Sequence, residues 1–413
     1  MKGTTMSGQA HPRRLVKAAI AATSVALLLS ACSFAEGLVD DAAEQPTIEA
    51  FYELPDDVAS GEPGELVRSQ EIPGAPDGAR AWRVIYHTTD QAGTAVLASG
   101  LVIAPTGAAP DAGRPVVAWA HPTTGTARDC APSMWPDPYL TIEGLGELLD
   151  RGFVVAATDY VGLGVDGPNS YLVGTTAATA VLDSVRAAQA LPDTAASDDV
   201  LFWGHSQGGQ AALFAATDAA EYAPELTARG VAVAAPAADL STLIDAHLDD
   251  VSGVTIGAYA FAAYVDVYGP STPGLTLESI LTPAGAEATP AMNEICLLTH
   301  TSQIHEIATP LVGGYLTADP STTEPWATLL QQNTPNAVPA DLPVFVAQGL
   351  TDTLIEPADT QAYVDGLVAR GSRVEYVTYP DIDHGLVAVR AVPRLVEWID
   401  ALAVPGAASA SVE

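Results

Sequence analysis

The sequence predicts an α/β protein: a mostly parallel central sheet covered by helices on both faces, with an inserted, mainly helical cap. Three observations carry this expectation. Continuous apolar, β-branched runs alternate with amphipathic ones from about residue 114 onward. The runs end at Gly, Pro or Asp, and the alternation stops for roughly a hundred residues before it resumes. Apolar strands separated by amphipathic helices signal strands buried on both faces, and such strands pair in parallel through helical crossovers.

Taken in order, "ARAWRVIYHTTD" (79–90) and "AVLASGLVIAP" (95–105) read as two early strands in a hairpin-like order. The alternation then begins with the strand "RPVVAWAHP", the helix "LTIEGLGELLDRG" and the strand "FVVAATDY". It continues with the helix "TAATAVLDSVRAAQAL", the strand "DVLFWG", the helix "QGGQAALFAATDAA" and the run "GVAVAAPAADL". After the pause come the strand "LPVFVAQGL", the helix "PADTQAYVDGLVARG", the strand "RVEYVTYP" and the helix "AVRAVPRLVEWIDALA". The pause, about 240–337, contains "VTIGAYAFAAYVDVYG", helical in pattern and apolar nearly all round. It is too long for a simple crossover, so it reads as a cap inserted between two strands of one sheet.

The N-terminus has a different character. "HPRRLVK" supplies positive charge, "AAIAATSVALLL" an apolar stretch short for a membrane span, and "LSAC" a small-residue ending. Residues 1–31 are therefore expected to be a signal peptide. Leu29-Ser30-Ala31-Cys32 resembles a bacterial lipobox, which implies acylation of Cys32 and a membrane anchor on the outer face of the cell. Residues 32–60, acidic and rich in Ala, Glu, Asp and Pro, read as a flexible tether, and 61–413 as the folded domain. All 50 acidic residues follow Cys32 and stand there against 12 arginines and no lysine. Such a surface argues against nucleic acid and anionic headgroups as partners and suits solubility outside the cell.

With Cys32 lipidated, Cys130 and Cys296 remain as the pair for a disulfide in an oxidising compartment. No Cys or His cluster has metal-ligand spacing, so neither a metal nor a cofactor is expected.

Chemistry is concentrated in "FWGHSQGG" (202–209). An apolar strand runs into Gly204 and a small-residue helix follows Gln207, the strand, sharp turn and helix of a nucleophile elbow with Ser206 at its apex. A serine needs a base, and His384 in "PDIDHGLV" is the sole histidine after residue 305. The orienting acid is expected at the end of the preceding strand, where "VFVAQGLTDTLIEP" places Asp352; Asp381, Asp383 and Glu356 are its rivals. The oxyanion of a tetrahedral intermediate needs two N–H donors. Gln207 is one; the other comes from His121-Pro122-Thr123-Thr124-Gly125, where Pro122 has no N–H and Thr123 or Thr124 must donate.

Taken with these residues, "DCAPS" (129–133), "TDYVGLG" (158–164), "APAADL" (235–240), "EPWATLLQQNTP" (324–335), "QGLTDTLI" (348–355) and "DIDHG" (381–385) resemble the secretory lipase family. The resemblance spans about residue 60 to the end. It implies an α/β-hydrolase fold and a serine carboxylic ester hydrolase with a cap over an acyl pocket. "HPTTG" departs from the fungal members, where an aspartate holds the donor position. An envelope acyltransferase or a serine peptidase would use the same triad, and a non-catalytic lipid-binding lipoprotein is the reading from another class.

Overall fold

The computed structural model describes residues 48–55, 58, 60–335 and 338–408. The expected signal peptide and Cys32 lie outside them. Residues 48–51 belong to a separate N-terminal unit and are helical; the second unit starts at Tyr52. That start is earlier than the expected boundary at 61. Tyr52 is 2% exposed and its hydroxyl lies 2.5 Å from Ser133 Oγ, so an aromatic ring inside the acidic stretch already belongs to the packed body.

Nine strands of the described residues form one sheet in the order β1-β2-β3-β5-β4-β6-β7-β8-β9. β1 (Leu66–Ile72), β2 (Ala79–Thr89) and β3 (Ala95–Pro105) form an antiparallel meander, and β3 also pairs antiparallel with β5 (Val154–Tyr160). From there every pairing is parallel, through β4 (Arg114–Ala120), β6 (Ala196–His205), β7 (Thr227–Ala234), β8 (Val344–Gly349) and β9 (Val374–Tyr379). β4 and β5 are buried at every residue, as strands covered on both faces must be. The one strand unforeseen in the sequence, β1, is an edge strand whose centre is exposed and charged.

The covering helices are α1 (Leu145–Asp150), α2 (Gly174–Ala190), α3 (Gln207–Tyr222), α9 (Pro357–Ala369) and α10 (Val387–Leu402). α1 is shorter than its apolar pattern suggests, because Gly144 before it is left-handed at φ 83°. Between β7 and β8 lie α4 (Leu240–Ala246), α5 (Val251–Tyr268), α6 (Pro283–Asn293), α7 (Leu297–Ala308) and α8 (Trp326–Gln332). α5 owes its nearly uniform apolarity to burial: Ala258, Tyr259, Ala263 and Tyr264 are fully enclosed. Asp250 caps its N-terminus by accepting from Gly253 N.

Candidate active site

The sheet order brings the C-terminal ends of β4, β6 and β8 to one edge, and the candidate site lies there. β6 runs through Gly204 into Ser206, whose φ of 58° and ψ of −118° are sparsely populated for a residue with a side chain. The surroundings enforce this geometry. Ser206 N–H donates to Ala234 O on β7, while its carbonyl accepts from Gly209, Gln210 and Ala237. A Cβ on Gly204 would lie 2.0 Å from Gly208 O, and one on Gly208 would lie 1.9 Å from Ala120 O. Both glycines are therefore required for the helix to close on the strands, and the hydroxyl is held at the positive end of α3.

The three residues read as a triad meet at hydrogen-bond distance. His384 Nε2 is 2.9 Å from Ser206 Oγ, and its Nδ1 is 2.8 Å from Asp352 Oδ2. Asp352 follows β8; its Oδ1 accepts from the N–H groups of Leu354 and Ile355, and Gln348 Nε2 donates to Oδ2 at 3.3 Å. With its carboxylate enclosed and supplied with donors, Nδ1–H of His384 has a fixed acceptor, leaving the Nε2 lone pair toward the serine. The rivals are elsewhere: Asp383 accepts from Leu386 N, while Asp381 and Glu356 are exposed.

Burial is the largest influence on His384 and lowers its pKa below the ordinary 6.5, with a further push from His205; Asp352 and Asp383 oppose it. An imidazolium cannot accept the serine proton. The kcat/KM profile should therefore lose activity on the acid side with a midpoint below pH 6.5, and a midpoint above that value would contradict this environment.

The oxyanion candidates also converge. Gln207 is the first residue of α3, and Gly208 packs against the backbone from which the His121–Gly125 loop departs. Among the described residues, the N–H groups of Gln207, Thr123 and Thr124 have no acceptor. The Thr123 and Tyr171 hydroxyls are 2.8 Å apart, and Thr124 O accepts from Leu297 N at the start of α7. Cys130, in the turn after this loop, is bonded to Cys296 directly before α7, across 166 residues of sequence. In the chain-entropy account a loop of that length is worth about 5 kcal/mol. Here it also ties the donor loop to the cap, together with Thr126 Oγ1 donating to Asn293 Oδ1.

Further polar residues support these loops. Asp159 is buried beneath the turn that holds Cys130; its carboxylate accepts from Ser133 N–H and from the Ser133 and Ser99 hydroxyls. Burial raises its pKa against these donors. At the cap junction His247 joins α4 and α5 to the acid turn, with Nδ1 2.5 Å from Asp250 Oδ2 and Nε2 2.8 Å from Leu354 O. Burial opposes a charge on that ring, but Asp250 and the Leu354 carbonyl prevail and raise its pKa. Beside it Leu243, Ile244, Ile256, Phe261, Leu316 and Leu354 line an apolar groove.

The mostly parallel sheet with helices on both faces is the α/β-hydrolase fold, and comparison with known proteins agrees. The secretory lipase family model matches residues 141–403, so the chain belongs to the secretory lipase family. It is 27% identical to Lipase A of Arthroderma benhamiae over 89% of this chain and 81% of that one. It is 25% identical to a protein of Mycobacterium tuberculosis described as a probable inactive lipase, over 86% and 81% of the two chains. The solved structure of Candida antarctica lipase A in its closed state superposes with a TM-score of 0.68 at 20% identity, covering 85% of each chain. That likeness shows the fold.

Proposed function

We propose that the chain is an exported serine carboxylic ester hydrolase that works through an acyl-enzyme. The observation that carries this reading is the Ser206–His384–Asp352 chain of hydrogen bonds at 2.9 and 2.8 Å. Ser206 Oγ attacks the ester carbonyl carbon as its proton passes to His384 Nε2, and Asp352 stabilises the imidazolium. The oxyanion is received by Gln207 N–H and by Thr123 N–H or Thr124 N–H. Collapse expels the alcohol, which takes the proton from His384. Water then repeats the sequence on the acyl-serine and releases the acid.

A relative is described as probably inactive, and the hydrogen-bond distances among Ser206, His384 and Asp352, which suit proton transfer, support an active reading of this chain. Export agrees with the Cys130–Cys296 bridge. Acylation of Cys32 would anchor the enzyme on the outer face of the membrane.

A chain-length series of p-nitrophenyl esters from acetate to palmitate, followed by emulsified triglyceride, tests the reading. Turnover on one or more of these esters is expected, and the series defines the acyl length that the site accepts. No turnover on any ester, together with an unreactive Ser206, would overturn it.

A further inference from the structure

We propose that His205, the residue before the nucleophile, is a positioning residue for His384. The inference rests on the triad reading above and adds a second point of support for its base.

His205 is 3% exposed, and its ring lies 5.1 Å from that of His384. Its Nε2 is 2.9 Å from the main-chain carbonyl of His384. A carbonyl oxygen accepts only, so Nε2 must carry a proton. The other nitrogen, Nδ1, faces Glu143 Oε1 at 3.6 Å, and both side chains are nearly enclosed, at 4% and 11% exposure. Neither His205 Nδ1 nor Glu143 Oε2 has a hydrogen-bond partner among the described residues. Glu143 is itself anchored, since its carbonyl accepts from the Trp203 indole N–H two residues before His205.

With Nε2–H given to it, the His384 carbonyl is clamped at one point of the main chain. The catalytic imidazole is thus held through its side chain by Asp352 and through its main chain by His205. The charged and titratable groups around the two rings are Asp352 and Asp383 beside His384, and Glu143 beside His205, with Glu143 also acting on His121.

Two variants test this: His205→Leu and His205→Gln. Leucine, which has no N–H to give the carbonyl, should lower kcat by about 10- to 100-fold, the scale of a slightly misplaced catalytic group, with KM within about twofold. Glutamine keeps an N–H for the carbonyl and should recover most of the lost kcat. The rate at which a serine-directed phosphonate labels Ser206 should follow kcat. Wild-type kcat in the leucine variant, or a rise in KM alone, would overturn the proposal. Should His205→Leu fail to fold, His205→Met, which also lacks the N–H, decides in its place. An unlabelled wild type would instead overturn the triad reading, and this inference with it.

Discussion

Ser206→Ala is expected to lower ester turnover by about 10⁵- to 10⁶-fold, the loss seen when the nucleophile of an intact triad is removed. The structure separates this effect from stability. Ser206 Oγ bonds to His384, whereas the bonds that shape the elbow use its backbone: N–H to Ala234 O, and the carbonyl receiving three amides. Alanine keeps all of them and adopts the same φ of 58° at no greater steric cost than serine. Near-wild-type melting with lost turnover is thus the predicted pair of results. Turnover within tenfold of wild type would remove Ser206 from the mechanism.

Asp352→Asn should cost about 10⁴-fold in kcat, by a different route. Oδ1 of Asp352 is held by two backbone donors, Leu354 N–H and Ile355 N–H. An asparagine oxygen will occupy that position, so its NH₂ must take the place of Oδ2 and point at His384 Nδ1. A donor there forces the imidazole proton onto Nε2, where it faces Ser206 and cannot be exchanged for the serine proton. Gln348 Nε2, which donates to Oδ2, would face a second donor as well. A loss below about tenfold would contradict the assignment and return the role to Asp383 or Glu356.

The central strands were legible because parallel strands buried on both faces leave uninterrupted apolar text, as in "VVAWA" and "VLFW". β1 was not, because an edge strand with an exposed centre carries Arg68, Ser69, Gln70 and Glu71 in succession. The three side chains that meet at hydrogen-bond distance could be picked out because each sits at or just beyond a strand end. Tyr52 was hidden inside an acidic stretch, and nothing around it announces the buried partner Ser133. Glu143 was equally silent: it lies within an ordinary helical pattern and approaches His205 only because the loop before α1 crosses the end of β6. Pairing of Cys130 with Cys296 was reached by elimination, whereas its place beside the donor loop emerges only in three dimensions.

The most direct test of the account is labelling of the purified chain with a fluorophosphonate, followed by peptide mapping by mass spectrometry. The account predicts one phosphonyl group per chain, on Ser206, with ester turnover lost in proportion to labelling, and no labelling of the Ser206→Ala variant. Undiminished turnover in a fully labelled chain, or a label on any other serine with Ser206 unmodified, would contradict it.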